Sequence, residues 1–106
     1  DIDVKIILLN NNFLGMVRQW QELFFDERYS ETHLKNPDFI KIADAYNIKG
    51  RKLAKREELD DAINEMLNYK GTFLLEVVVE TKGMVYPMVP AGGSVTNILL
   101  GNGRKL

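Results

Sequence analysis

Two stretches of the chain, 4–9 (VKIILL) and 72–80 (TFLLEVVVE), are almost unbroken runs of β-forming apolar residues. A strand without polar alternation has no face to offer water, so each is expected to be covered on both sides, as in a parallel sheet. Helical patterns lie between them. Residues 14–25 have the length of a helix but are apolar on most sides, with Met16, Val17, Trp20, Leu23 and Phe24. Such a helix either is deeply buried or lines a pocket. Asn36-Pro37 predicts a second helix start, a capping side chain followed by proline in the first turn. Phe39, Ile42, Ala43 and Tyr46 then repeat at i, i+3, i+4, i+7, which lays one face on the core, and Asn47 and Gly50 stop the helix.

A short strand is expected at 50–53. The clearest helix is 56–69, where Leu59, Ala62, Ile63, Met66 and Leu67 make one stripe and the early acids suit the positive end of the dipole. Ala54 stands where a capping side chain belongs, so the entrance is weak, and Gly71 ends the turn beyond. The order strand, helix, helix, strand, helix, strand predicts α/β layering around a parallel sheet with flanking helices. From Thr81 onward the pattern dissolves. Pro87, Pro90, Gly92, Gly93, Gly101 and Gly103 mark an irregular arm, so the chain divides into an α/β part, 1–81, and an arm, 82–106.

A chain of 106 residues is one domain or part of one. With 45% hydrophobic and 27% charged residues it is globular, not disordered. A net charge of −1 gives no reason to expect a nucleic-acid or membrane-surface partner. Lys49, Arg51, Lys52, Lys55 and Arg56 are followed at once by Glu57, Glu58, Asp60 and Asp61, and read as a solvated helix entrance. The absence of cysteine excludes disulfide and thiolate chemistry, and no apolar run approaches the length of a membrane span. The chain opens on Asp1 and enters a strand at once, as a piece excised from a longer protein would.

Asn10, Asn11 and Asn12 follow the first strand and precede the first helix, where open α/β sheets bind ligands beyond the carboxyl ends of their strands. A carboxamide offers a neutral, hard oxygen that suits Mg²⁺ or Ca²⁺ already carrying phosphate charge. The free amides of a helix beginning near Leu14 would favour a diphosphate at the same place. Equally, asparagine tolerates turn conformations and caps helices, and both readings stand on residue type alone. His33 has no cysteine or second histidine beside it and reads as a surface loop residue. Gly92-Gly93 lacks the context of a nucleotide-binding loop, and Ser94 has no recognisable base for a nucleophile.

The run LLNNNFLGMVRQWQELFF and, much later, GMVYPMVPAGGSV resemble the C-terminal end of the acetohydroxyacid (acetolactate) synthase family. PDFIKIADAYNIKG and the TFLLEVVVE strand extend the resemblance over nearly the whole chain. It implies the C-terminal part of a thiamine-diphosphate-binding domain. The parent enzyme would decarboxylate pyruvate on the cofactor and join the hydroxyethyl group to pyruvate or 2-oxobutyrate, in branched-chain amino-acid synthesis. By position, Asn10 and Asn11 are the asparagine pair of the family's diphosphate motif. Asn11 would give its side-chain oxygen to Mg²⁺ and Phe13 a backbone carbonyl, with Leu14, Gly15 and Met16 beside the cofactor and Asn12 a bystander.

Met16, Val17 and Trp20 would line the acceptor and herbicide channel, approached by Ala91, Gly92 and Gly93 of the arm. The motif's aspartate, the cofactor-activating glutamate and an FAD domain would lie upstream, so no catalytic residue is expected in this chain and the piece alone should be inactive. The implied partners are the rest of the catalytic subunit, a second copy or a tetramer of it, and a regulatory small subunit. The implied location is the cytoplasm, as in bacteria, or a plastid. Two other readings keep the residues but not this parent: a self-standing α/β module binding metal or phosphate, and a different thiamine-diphosphate enzyme.

Overall fold

A computed structural model describes residues 2–101, which pack as two compact units, 2–13 with 33–81 and 14–32 with 82–101. The first unit is built on a three-stranded, all-parallel sheet. Its strands are β1 (Lys5–Asn10), β2 (Lys49–Leu53) and β3 (Phe73–Val78), in spatial order β1-β3-β2. Leu9, Val77 and Leu53 share one register level, so all three strands end on the same side of the sheet. That side carries Asn10.

The central strand behaves as its composition requires. Phe73, Leu75 and Glu76 are almost wholly buried, and the core forms around them from Leu53, Ala62 and Met66. The edge strand does not. Ile7 and Leu9 of β1 are 54% and 69% exposed, against the expectation of cover on both faces, because among the described residues β1 flanks β3 alone while the helices lie against β2 and β3. The one lysine of β1 ties its strand to the turn before β3. Lys5 Nζ donates to the carbonyls of Tyr69 and Gly71 and lies over the Tyr69 ring.

Two helices of this unit follow the sequence pattern only in part. Helix α2 (Phe39–Ala45) is capped by Asp38, whose carboxylate accepts from the amides of Ile40 and Lys41, not by Asn36. Ala43 is its buried residue, while Ile42 and Tyr46 of the expected stripe stay exposed. The reason is Gly50: a Cβ there would meet Ile40 and Ala43 side-chain atoms at 3.3–3.4 Å, so the helix sits on β2 through Ile40 and Ala43. A 3₁₀ turn (Arg56–Glu58) leads into α3 (Leu59–Asn68), and neither start has a side-chain cap, as the missing capping residue implied. Ala62 and Met66 of its stripe are buried, whereas Leu67 is exposed. Only Lys55 and Arg56 of the basic run stand at the helix entrance; Lys49, Arg51 and Lys52 lie on β2 and pair with Glu58, Glu65 and Glu76.

The second unit holds α1 (Gly15–Phe24) and the arm. From residue 79 to 101 there is no helix or strand, only an antiparallel bridge between Met88 and Leu99 and a cis Tyr86-Pro87 bond. Residues 102–106 of the arm lie outside the described residues. No helix among the described residues is long and apolar enough to cross a membrane.

Candidate functional site: an asparagine turn and an apolar groove

In the first unit the chain leaves β1 through a tight turn that carboxamides build. Asn10 is 7% exposed, and both ends of its amide are engaged. Its Nδ2 donates to Glu76 Oε1 at 2.8 Å, and its Oδ1 accepts from the Asn12 amide at 3.0 Å and from Asn36 Nδ2 at 2.9 Å. Glu76, 2% exposed on the central strand, also accepts from Lys52 Nζ at 3.2 Å, so its buried carboxylate has both a cation and an amide as partners. Asn12 takes the left-handed conformation, φ 57°, which asparagine tolerates better than most residues. Its carbonyl accepts from the Leu34 amide, and its Oδ1 receives a longer bond from Asn36 at 3.3 Å.

Asn11, half-buried, has a different employment. Its Oδ1 accepts the Phe13 amide at 3.0 Å, one bond on an oxygen with two lone pairs. Phe13 forms a bridge with His33, whose ring meets the Phe13 ring edge-on at 5.0 Å. His33 is exposed, as read from the sequence. The donor set at this turn is neutral and hard, and it fits a share of the coordination of Mg²⁺, whose remaining positions usually fall to water and phosphate oxygens. Among the described residues no group of three or more His, Cys, Asp or Glu could hold a metal by itself.

In the second unit α1 is inside out. Its buried residues are Arg18 and Gln19, while Met16, Val17, Trp20 and Phe24 are between 39% and 48% exposed. Arg18 reaches Glu22 at 2.6 Å and stacks near the Tyr29 ring. The Tyr29 phenol is held above its usual range, first by desolvation and then by its hydrogen bond to Glu22, so it stays neutral through the physiological range. Gln19 and Gln21 each bind one backbone residue at both its groups: Val85 of the arm for Gln19, Ser30 for Gln21. No side chain caps the helix, which begins at Gly15 after Leu14 has donated its amide to the Thr32 carbonyl.

The outward face of α1 forms one wall of a groove of about 490 Å³, through Met16, Trp20, Phe24 and the following Phe25. Met88, Val89, Pro90 and Ala91 of the arm form the other wall. Gly92 and Gly93 line an adjoining hollow with Leu23 and Asn97, and Val17 is exposed but lines neither. Met16, Trp20 and Ala91 thus meet in one place, and the arm's glycines stand next to it. Glu76 and Gln19 were not singled out from the sequence, and Asn36 was read only as a helix cap. Glu76 had a visible signal, a lone acid in an apolar central strand; the Asn36-Pro37 pair pointed to a cap and not to the turn, and Gln19 had no signal beyond its polarity.

Residues 1–77 match the family model described as thiamine pyrophosphate enzyme, C-terminal TPP binding domain. The chain is 51% identical over 100 residues to the mitochondrial acetolactate synthase of Schizosaccharomyces pombe, which covers 94% of this chain and 15% of that protein. It is 56% identical over 91 residues to the mitochondrial acetolactate synthase catalytic subunit of Saccharomyces cerevisiae, covering 86% of this chain and 13% of that one. It is 46% identical over 99 residues to the acetolactate synthase isozyme 2 large subunit of Escherichia coli, covering 92% and 18% respectively. The chain therefore spans less than a fifth of the length of these curated relatives. The match over 1–77 takes in the asparagine turn and all of the parallel sheet but Val78, and the chain belongs to the thiamine pyrophosphate enzymes, as their C-terminal TPP-binding domain.

Proposed function

We propose that the chain is the C-terminal part of the catalytic polypeptide of an acetolactate synthase. The observation that carries this reading is the likeness of nearly the whole chain, arm included, to acetolactate synthases at about half identity. Thiamine diphosphate, when bound, supplies the electron sink for decarboxylating one 2-oxo acid and joining what remains to a second. This chain's own part is to hold and to shape. Asn11, through its side-chain oxygen, and Phe13, through its carbonyl, would hold Mg²⁺ on the diphosphate. Asn10 lends its amide to neighbouring groups and so fixes the turn that presents them. The start of α1 has no side-chain cap, and with the Leu14 amide taken by Thr32 it is the amides of Gly15 and Met16 that suit an anionic cofactor.

The groove is the acceptor site in this reading. Its Trp20, Met16 and arm residues present an apolar surface that excludes water and can sense the extra methylene of 2-oxobutyrate over pyruvate. Residues 82–101 act as the arm that forms the second wall. The catalytic acid–base groups and FAD belong to the rest of the polypeptide, which works as a dimer or tetramer with a regulatory subunit. The test is a product assay on the intact polypeptide. Acetolactate formed from pyruvate, dependent on added thiamine diphosphate and Mg²⁺, is expected; a pure, folded, cofactor-loaded protein that forms none would overturn the reading.

A further inference from the structure

The geometry points to Gln19 as the positioning residue that sets the width of the apolar groove, and through it the choice of acceptor; this rests on the acceptor-site reading above. Gln19 is 1% exposed and sits beside Trp20 in the chain, the one facing inward where the other faces out. Its Nε2 donates to the Val85 carbonyl at 3.0 Å, and its Oε1 accepts from the Val85 amide at 2.7 Å. A single bond would let the arm pivot. Two bonds to one residue fix its orientation as well as its distance, as a neighbouring strand would. The same Nε2 lies 3.3 Å from Met88 Sδ, the first arm residue of the groove wall.

What happens at Val85 is carried forward. The bridge between Met88 and Leu99, with bonds of 2.9 and 2.8 Å in both directions, ties the arm back on itself. Met88 is thus held by both Leu99 and Gln19, the Gly93 amide donates to the Pro90 carbonyl at 2.8 Å within the same wall, and the span from that wall to Trp20 is set at Gln19. Gln21 supplies a matched control. It clamps Ser30 with the same two bonds, 2.9 and 3.2 Å, from the same helix, and lines no part of the groove.

The experiment compares Gln19→Met and Gln21→Met in the intact polypeptide. Each enzyme is given pyruvate and 2-oxobutyrate together, and the ratio of the two acetohydroxy acids is measured. That ratio is blind to misfolding, because unfolded molecules make neither product. Gln19→Met is expected to lower the preference for 2-oxobutyrate by about threefold or more, within what a one-methylene distinction allows, and Gln21→Met to leave it unchanged. A second reading needs no turnover: acrylamide quenching of Trp20 emission, taken as the difference from the same variant carrying Trp20→Phe. It should rise in Gln19→Met and not in Gln21→Met. Should Gln19→Met not fold, Gln19→Glu, which keeps an acceptor for the Val85 amide and sets an oxygen against the Val85 carbonyl, is held to both readings. A Gln19 variant with native product ratio and native quenching overturns the inference. A native protein that makes no acetohydroxy acid overturns the acceptor reading alone, and the quenching comparison then decides the role of Gln19.

Discussion

The asparagine turn and helix α1 use the same chemical group in opposite ways. At the turn, carboxamides bond to one another and to a buried carboxylate, and the product is a polar surface at the carboxyl end of a strand. On α1, carboxamides are buried against backbone, and the product is an apolar surface at the opposite side of the helix. In both places the residues that look functional are presented by others that look ordinary. Asn10, Glu76 and Asn36 stand behind Asn11; Gln19 stands behind the arm wall that faces Trp20. Hydrogen bonds at a supporting residue fix geometry, and their loss should be felt in stability. Loss of a presented residue should be felt in binding and selectivity. Substitutions at the two kinds of position separate these effects.

The largest effect is expected at Asn10. Asn10→Leu keeps the volume but removes the amide partner of the buried Glu76 carboxylate and the acceptor of the Asn36 amide and the Asn12 N–H. Glu76 keeps its cation in Lys52, so the cost is that of a hydrogen bond to a charged group together with buried donors left unpaired, ~2–4 kcal/mol in all. Urea unfolding of the intact polypeptide should show a loss of that size for the domain that holds this sheet. An unchanged midpoint would mean that water replaces the amide without cost, and the turn would not be a braced one.

Asn11→Ala should do the reverse. It removes one hydrogen bond at a half-buried position, worth ~1 kcal/mol, but also the side-chain oxygen proposed to hold Mg²⁺. The metal requirement of the intact enzyme should rise ~10–100-fold, the usual scale for losing a ligand or its support. Manganese titration followed by electron paramagnetic resonance measures this directly. If Asn11→Ala binds Mn²⁺ as the native protein does, the register placing Asn11 at the metal is wrong.

How much of this was legible in the sequence follows from the same division. The parallel sheet was readable because Phe73 to Val78 lacks polar alternation, and that strand is indeed central and buried. The exposure of Ile7 and Leu9 was not, since composition cannot tell an edge from a centre when the neighbours of a strand are unknown. Asn36-Pro37 pointed to a cap, yet Asp38 is the cap and Asn36 serves the turn 26 residues earlier. A side chain that bonds locally and one that bonds across the fold carry the same letter. Likewise the apolar surplus of residues 14–25 said that α1 was unusual, while only the structure shows which face turned in. The inward face is Arg18 and Gln19 because the Glu22 and Tyr29 side chains engage the guanidinium and the Val85 backbone engages the carboxamide, satisfying polar groups that water would otherwise claim.

Trp20 tests the groove side of the comparison. At 48% exposure it contributes little burial, so Trp20→Leu should shift stability by less than ~1 kcal/mol, well short of the ~3–5 kcal/mol of a core aromatic. The acceptor preference should instead move toward pyruvate by roughly tenfold, within the ~1–3 kcal/mol of a one-methylene distinction. Channel-filling aromatic inhibitors should weaken in parallel, as a flat stacking surface is lost. Competition between the two acceptors, with thermal denaturation beside it, reads both. A large fall in melting temperature at constant product ratio would return Trp20 to the structural class.

The smallest effect is expected at Asn12, the middle of the turn. Asn12→Gly removes an acceptor that receives only the longer of the two bonds from Asn36, 3.3 Å against 2.9 Å to Asn10, so Asn36 keeps its better partner. The backbone change runs the other way. At φ 57° a residue with a Cβ carries a cost of ~1 kcal/mol that glycine does not, while glycine adds ~0.4–1 kcal/mol of chain entropy to the unfolded state. The two nearly cancel. Asn12→Gly should therefore lie within ~0.5 kcal/mol of the native protein, with metal affinity unchanged, whereas Asn12→Val should lose ~1–2 kcal/mol because a β-branched side chain resists that conformation. Unfolding and Mn²⁺ titration on the two variants give four numbers. A weakened metal site in Asn12→Gly would move the ligand from Asn11 to its neighbour; a Val variant as stable as the Gly variant would mean that the turn has relaxed out of the left-handed region, and that the bracing by Asn10 and Asn36 does not hold it there.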